Sequence, residues 1–410
     1  MTTESWPWHP EFMATSGVGG RVAEERKLAG LTQQQLATRA NVSTSLVRAV
    51  EQGRSPASPA FVSAMSRALN VQVAELLDQP YPRQSLADHR LHSTVPAIRR
   101  ELVSYTLPPD ETVRPRPLPE LVTAVAEASR LRHQVWLDAL GAELPGLLEE
   151  LRAAASMYRG ADQQLAYSLL SETYYAVDQV LSKLGHADLA SLAVDRYEWA
   201  AERSGDPLAV LIGHYRRAGE LITGADYDGA ARLLESSRSS IEDQIGGGDP
   251  ATLSVWGNLH LKSGLAASRA GRREESDEHL AEARETAQRI GTDRDDYRLF
   301  FGPTNVDIWS VGLAVERCDG TEAVKRAEGM RFPAGTPRER VGHHYIDTAR
   351  AWLLHGNRQR ALTSLITARH TAPQQTRYHP MVHETIRVLA RQDRRRTDTV
   401  QGFAVWCGIS

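Results

Sequence analysis

The amino-acid sequence predicts an all-α protein. Apolar residues recur with a helical period over most of the 410 residues, no stretch alternates like a half-buried strand, and glycines interrupt the periodic segments at intervals typical of helix pairs. At roughly 150 residues per domain, the length allows two or three domains. A hydrophobic fraction of 41% and a charged fraction of 24% are ordinary for a globular protein and exclude low-complexity disorder.

Five short helices are predicted near the N-terminus, after a flexible tail over residues 1–18. Thr32 has the position and chemistry of the N-cap of the second helix, and Ser43 has those of the third. The last two helices fall within residues 58–77. Together the five helices predict a small domain over residues 19–79.

The rest of the chain divides into a linker and a long helical region. Prolines mark residues 80–117, in which we expect one helix from about residue 97 to 105. Residues 118–410 have a helical period almost throughout, and helix pairs are the simplest interpretation. Four segments in this region place a tight turn before a helix rich in small residues: 224–237, 270–287, 318–330 and 355–372.

These four turns resemble the turn of tetratricopeptide repeats, in which a glycine or alanine is followed five residues later by alanine. The turns at Ala225, Gly271, Cys318 and Gly356 lie 46, 47 and 38 residues apart, longer than the tetratricopeptide period of ~34. Stacked helix pairs of this kind bury a continuous core and leave one concave surface for binding. We therefore expect a tetratricopeptide-like α-solenoid over residues 118–410.

The charge is distributed unevenly between the two regions. The net charge of −3, from 48 basic and 51 acidic residues, on its own disfavours a nucleic-acid partner, because DNA binding requires neutralisation of phosphates. Residues 19–80 contain seven basic and five acidic residues, a local charge of +2 that leaves −5 for the remainder. The N-terminal domain is therefore compatible with DNA binding.

The most informative stretch is LTQQQLATRANVSTSLVRAVEQG, residues 31–53. A helix that reads DNA presents small or polar residues on one face and packs its other face against a supporting helix. In this stretch the predicted packing face is apolar, and the predicted outward residues are Gln33, Thr44, Ser45, Arg48 and Ala49. Together with SPAFVSAMSRALNVQVAELL downstream, the pattern over residues 20–78 resembles the XRE (Cro/C1-type) helix-turn-helix domain, a five-helix fold like that of lambda repressor.

The resemblance implies how these residues would meet DNA. Gln33, at the start of the second helix, would bind a backbone phosphate. Thr44, Ser45, Arg48 and Ala49 would face base edges, and Arg48 could make a bidentate contact to guanine worth roughly 1–3 kcal/mol of discrimination. Many relatives carry arginine where this chain has Ala49, so the operator sequence is left open.

The same resemblance assigns supporting roles around the reading helix. Three residues would lie near phosphates: Lys27, Gln52 and Arg54. Arg26 and Glu51 match a pair that in relatives forms a salt bridge between the first and third helices, which we interpret as structural. A small helical bundle that serves a protein partner is the alternative interpretation of this domain.

A second resemblance covers the C-terminal region. FGPTNVDIWSVGLAVERCDG, from Phe301, and the segment from His343 to Arg391 resemble actinobacterial regulators that couple an XRE domain to tetratricopeptide-like repeats. This implies a regulator that senses a peptide or a small molecule. If the repeats follow the tetratricopeptide register, the following residues face the concave surface: Ile212, Arg216, Asn258, Lys262, Asn305, Trp309, His343 and Asp347. Amides there could hold a peptide backbone, and the cations could pair with a carboxylate.

Several classes of function lack support in the sequence. It holds no nucleophile–base arrangement, phosphate-binding loop or metal-ligand pattern, so we expect no catalytic residue, no metal, no cofactor and no enzyme activity. No run approaches the roughly 20 apolar residues of a bilayer helix, and the N-terminus lacks the layout of a signal peptide. We expect a cytoplasmic protein without a membrane partner, associated with the nucleoid when bound to DNA.

The leading hypothesis is therefore a ligand-responsive transcription regulator. One helix-turn-helix makes few DNA contacts, so we expect a homodimer, joined through the repeat domain, on a roughly palindromic operator in double-stranded DNA. The alternative is a DNA-tethered interaction protein whose repeats recruit a protein partner. The sequence leaves open the ligand, the regulated genes and whether the effect is activation or repression.

Overall fold

The computed structural model describes residues 17–83, 85–107, 112–392 and 398–409, and its regular structure is helical. The all-α prediction is confirmed. Within those ranges the sole extended pairing is an isolated antiparallel bridge between Arg294 and Phe301. The tail predicted over residues 1–18 lies outside the described residues except for its last two, and Val18 already opens the first helix.

The N-terminal domain, called the head below, contains five helices. They are α1 (Val18–Leu28), α2 (Gln33–Arg39), α3 (Thr44–Glu51), α4 (Pro59–Leu69) and α5 (Val73–Leu77). The Thr32 hydroxyl accepts from the Gln35 backbone N–H and the Gln35 side chain accepts from the Thr32 backbone N–H, a capping box that fixes the start of α2. Ser43 and Ser58 cap α3 and α4 through their hydroxyls.

The head has its own apolar core. Val22 of α1, Leu36 of α2 and Val47 of α3 are fully buried, and Phe61 of α4 closes the cluster. Gly19 lets α1 approach α3, since a Cβ there would lie 2.0 Å from the Val50 carbonyl oxygen. The short helices thus gain their stability from mutual packing of apolar faces.

The segment predicted as a linker is part of the larger domain. Two helices form here, α6 (Leu86–His92) and α7 (Val95–Val103). Helix α7 covers most of the helix predicted over about 97–105, and α6 is additional. Leu91, Ile98 and Leu102 are buried in the same core as the helices that follow. Helix α6 was missed because the prolines on either side of it, such as Pro82 and Pro96, are typical of a linker.

The remaining chain, called the body together with α6 and α7, is a succession of antiparallel helix pairs. Its helices are α8 (Leu118–Gln134), α9 (Leu137–Met157), α10 (Ala161–Leu184), α11 (Ala187–Ser204), α12 (Pro207–Thr223), α13 (Tyr227–Ser239), α14 (Pro250–Arg269), α15 (Arg273–Ile290), α16 (Pro303–Glu316), α17 (Gly320–Ala327), α18 (Arg338–Leu354), α19 (Arg358–Thr371), α20 (Pro373–Tyr378), α21 (Pro380–Gln392) and α22 (Asp398–Cys407). Short 3₁₀ turns occupy Glu242–Gly247 and Asp296–Arg298.

The four turns singled out in the sequence share one backbone conformation. Ala225, Gly271, Cys318 and Gly356 all have positive φ, between +57° and +91°. Each residue follows the first helix of a pair, where a left-handed residue ends the helix and reverses the chain. The first helices of the four pairs, α12, α14, α16 and α18, pack against one another in that order.

The two ends of the body meet. Helix α18 packs against α8, and α20 packs against α10. Asp88 of α6 accepts hydrogen bonds from Tyr378 Oη and, at 3.0 Å, from Arg377 Nη2. The first helices of the pairs consequently surround a central cavity, and the second helices, α13, α15, α17 and α19, lie outside it.

Candidate nucleic-acid interface and central cavity

Helix α3 is held by its apolar face and leaves its other face open. Val47 and Val50 are buried against the rest of the head. Ser45 and Arg48 are exposed, whereas Thr44 and Ala49 are half-buried beside them. The four residues that the sequence assigns to base contacts therefore lie on one accessible face of α3.

A polar network fixes the position of α3 relative to α1 and α2. Arg26 donates from Nε to Glu51 Oε1 at 2.7 Å and from Nη2 to Oε2 at 3.0 Å, and it also donates to the Leu31 carbonyl at 2.9 Å. The hydrogen bond to Glu51 raises the pKa of Arg26. Gln33 joins the network, because its Nε2 donates to Glu51 Oε2 at 2.7 Å. Glu51 therefore positions the side-chain amide of Gln33, which we expect at a phosphate.

The three residues expected near phosphates lie at the edges of the same face. Lys27 is exposed near the end of α1, and Gln52 and Arg54 are exposed just after α3. Exposed cations on both sides of a reading helix can contact phosphates without first breaking a buried interaction. The arrangement is suited to a DNA duplex.

The head contacts the body through residues away from the exposed face of α3. Ser63 Oγ donates to the Thr223 carbonyl at 2.9 Å, and Arg67 Nη1 donates to the Ala225 carbonyl at 2.7 Å. These carbonyls belong to the C-terminal end of α12 and its turn, where backbone acceptors lack helical partners. Met381 of α21 extends into the apolar core of the head. These contacts leave the outward face of α3 exposed.

The second candidate site is the central cavity, of about 380 Å³. Its wall is built from residues of α8, α10, α12, α14, α16, α18, α20 and α21, and Pro59 of the head completes it. The charged and aromatic residues of the wall are Arg132, Tyr175, Lys183, Tyr215, Arg216, Lys262, Arg269, Trp309, Glu316, Glu339, Arg340, His343, Asp347, Arg350, Tyr378 and His379.

The structure brings together five of the residues that the sequence predicts on a ligand surface. They are Arg216, Lys262, Trp309, His343 and Asp347. They come from four inner helices, α12, α14, α16 and α18, so a single cavity unites positions more than a hundred residues apart in sequence. These five positions therefore share one surface, as the tetratricopeptide register predicts, and their role in ligand binding stays a prediction.

Asn258 and Asn305 do not reach the cavity, and their prediction as ligand residues was wrong. Both are 0% exposed, and Asn258 donates instead to the Ser254 carbonyl at 3.0 Å. Each lies four residues before a residue of the wall, on the same stripe of its helix. One helical turn along the axis therefore separates them from the cavity. Ile212 is buried on α12 and also lies outside the wall.

Ion pairs stabilise most of the charges in the wall. Glu316 Oε2 accepts from Arg269 at 2.7 Å, and its Oε1 lies 2.9 Å from Arg350 Nη1. Burial alone would raise the pKa of Glu316, but these two guanidinium groups lower it to about 2. Glu339 lies 3.6 Å from Lys183 and 3.3 Å from Arg340, and these cations hold the pKa of this buried carboxyl well below its usual range.

Sequence reasoning missed most of this network. Lys183, Arg269 and Arg350 all lie within helices that are buried on several sides. A basic residue inside a mostly apolar helix is a signal that could have found them, because a charge is buried only where it has a partner. Which charges converge on one cavity depends on how the helix pairs stack, and no local pattern encodes that.

Comparison with known proteins ties the N-terminal domain to a family. The helix-turn-helix family matches residues 22–76, so the head is an XRE-type helix-turn-helix domain. No curated protein matches the chain. Among solved structures, BtubC (BKLC) from P. vanneervenii has a TM-score of 0.37 at 16% identity, over 62% of this chain and 91% of that chain. PlcR of Bacillus thuringiensis, in complex with the peptide PapR7 and DNA, has a TM-score of 0.26 at 13% identity, over 67% and 95%.

In the part of the chain that the structure describes, no helix is long and apolar enough to cross a membrane. Among the same residues, no group of three or more histidine, cysteine, aspartate or glutamate side chains is arranged to hold a metal ion.

Proposed function

We propose that this chain is a sequence-specific DNA-binding transcription regulator in which the head reads the operator and the body senses a peptide or a small molecule in the central cavity. The observation that carries the proposal is the position of the head. A helix-turn-helix domain with an exposed reading face also supplies Pro59 to the wall of a cavity in the body. A ligand there would lie next to the domain to which we assign DNA binding.

The DNA-binding roles follow the exposed face of α3. We assign base contacts to Thr44, Ser45, Arg48 and Ala49, with Arg48 as the main determinant of specificity. Phosphate contacts fall to the surrounding residues, Lys27, Gln33, Gln52 and Arg54. Arg26 and Glu51 act structurally, since their bidentate pair fixes α3 to α1.

We assign residues 19–79 to DNA binding and the body to ligand binding and to homodimerisation. Two heads on one palindromic operator supply the contacts that one head lacks, and a head of charge +2 has little non-specific affinity. Such a regulator acts in the cytoplasm, on the nucleoid. Ligand binding alters DNA affinity only if the ligand prefers one arrangement of the two heads.

The test is selection of binding sites from random DNA by the full chain. We expect a two-fold symmetric sequence, with half-sites separated by one or more helical turns of ~10 base pairs. Arg48→Ala should lower discrimination at one position of each half-site by roughly 1–3 kcal/mol, because a bidentate guanine contact is lost. Circular dichroism should show an unchanged helix content, since Arg48 is exposed.

An unchanged sequence preference in Arg48→Ala would contradict the base-reading role. Absence of any selected sequence, together with a stoichiometric protein that co-purifies with the chain, would instead support a DNA-tethered interaction protein. Sedimentation of the full chain as a monomer at micromolar concentration would contradict the dimer.

A further inference from the structure

We propose that the occupant of the central cavity is a small organic oxyanion, a carboxylate or phosphate ester with an aromatic or apolar body, whose anionic group lies against Lys262. The inference rests on the proposed role of the cavity as the sensing site and names its ligand class. Four observations carry it: the excess of cations in the wall, the environment of Lys262, the aromatic lining and the size of the cavity.

Cations outnumber anions in the cavity wall. Seven arginine and lysine side chains line it, against three carboxylates. Glu316 neutralises Arg269 and shares Arg350 with Asp347, while Glu339 lies between Lys183 and Arg340. Arg216 is matched from outside the wall by Asp178, at 2.5 Å. Each carboxylate of the wall is therefore already paired with a neighbouring cation, and the wall keeps a net positive charge.

Two cations of the cavity wall have no carboxylate at salt-bridge distance among the residues that the structure describes. Arg132 is 2% exposed and donates instead to the Arg298 carbonyl, at 2.7 Å. Lys262 is 7% exposed, and its ammonium group lies 4.2 Å from the centroid of the Tyr215 ring and 5.8 Å from that of Trp309. Its contacts are cation–π contacts alone, which replace only part of the lost hydration.

The electrostatics around Lys262 favour an added anion. Burial lowers the pKa of Lys262 well below its usual range. Arg216 on α12, Arg340 on α18 and Arg269 on the same helix lower it further, and Asp178 on α10 opposes them. An oxyanion at the ammonium would offset both the desolvation and the repulsion. Binding of an anion should therefore raise the pKa of Lys262.

The rest of the cavity suits an apolar body. Tyr175, Tyr215 and Trp309 supply ring faces, and Leu265 and Ile308 supply aliphatic surface. A volume of about 380 Å³ is near the lower end of the ~300–1,000 Å³ of small-molecule sites. An extended peptide needs a longer groove, so the observations favour a small molecule that carries one anionic group and a ring.

The test is isothermal titration calorimetry of the full chain with three matched probes. They are 3-phenylpropionate, phenyl phosphate and the neutral 3-phenylpropanamide. We expect saturable binding of at least one anion, at one site per chain, and at least tenfold weaker binding of the amide. The two anions separate a carboxylate ligand from a phosphate ligand. Failure of both anions to bind, or equal binding of the amide, would overturn the proposal.

Lys262→Met tests the contact itself, because methionine fills the space without the charge. We expect at least tenfold weaker binding of the anion and unchanged binding of the amide. The control is Lys325→Met, on the outer helix α17, where the side chain is exposed and binding should not change. Unaltered thermal unfolding of Lys262→Met would show that the fold is intact, and wild-type affinity in that variant would refute the assignment.

Proton uptake on anion binding distinguishes a direct contact by Lys262 from a purely structural role of that residue. Titrations over a pH series, in two buffers of different ionisation enthalpy, should reveal a pH range in which anion binding by the wild type takes up protons, and that uptake should vanish in Lys262→Met. Equal uptake in both proteins would count against Lys262. A chain that selects an operator but binds neither anion would refute the ligand class alone, whereas anion binding without operator selection would refute the proposed function alone.

Discussion

The head and the body place their charges in opposite ways. In the head, the basic residues expected at DNA, such as Arg48 and Arg54, stand exposed around an apolar core. In the body, basic residues such as Arg269 and Arg350 are half-buried around a cavity and held by carboxylates. Exposed charges lose little hydration on folding, whereas buried charges require partners. The two regions therefore suit different anions: a polyanion that approaches from solvent, and a small anion that is enclosed.

The comparison predicts its largest effect at Glu316. Glu316→Ala removes the carboxylate that holds Arg269 and Arg350, and it leaves two half-buried guanidinium groups whose remaining carboxylate partner, among the described residues, is Asp347. We expect a loss of about 3–5 kcal/mol in the free energy of unfolding, measured by chemical denaturation. Glu278→Ala, on the exposed face of α15, is the matched control and should change stability by less than about 0.5 kcal/mol. Equal effects of the two substitutions would remove the distinction between buried and exposed charge.

The same carboxylate predicts a pH dependence. The pKa of Glu316 is about 2 in the folded protein, below the ~4.3 of an unfolded chain. A carboxyl whose pKa is depressed on folding contributes stability that is present above its unfolded pKa and is lost as pH falls through its folded pKa. Stability of the wild type should therefore decline from about pH 4.3 to about pH 2, and Glu316→Gln should flatten that decline. Parallel pH profiles for the two proteins would contradict this role.

The smallest expected effect is in the head. Arg54→Ala removes one exposed cation next to α3, so stability should stay within about 0.5 kcal/mol. Binding to DNA should weaken equally for all sequences, and the slope of log K against log salt should become shallower by about 0.9 per head. Fluorescence anisotropy over a salt series measures it. A change in sequence preference, with the slope retained, would move Arg54 from phosphate to base contact.

Local chemistry made the head predictable. Thr32 and Ser43 marked the helix starts because a short hydroxyl side chain can cap backbone N–H groups, and the structure shows both caps. The turn residues Ala225 and Cys318 were also predictable from the sequence, because the tetratricopeptide-like pattern identifies these turns although neither residue is glycine. By contrast, α6 was missed because prolines flank it, although Ser85 caps its start. Asn305 was placed on the cavity surface because its distance from the cavity along the helix depends on how the helix pairs stack.

The sequence by itself determined the all-α class, the helix-turn-helix head, the reading face of α3 and the stripe of inner-helix residues that carries Lys262 and Trp309. Helical period and capping are properties of a few neighbouring residues, so one chain read in order contains them. Only the tertiary structure decided that the ends of the body meet, that Asn258 lies one turn below the cavity, and that Pro59 of the head completes its wall. Those outcomes follow from the stacking of successive helix pairs, in which small rotations add up along the chain before its distant parts come into contact.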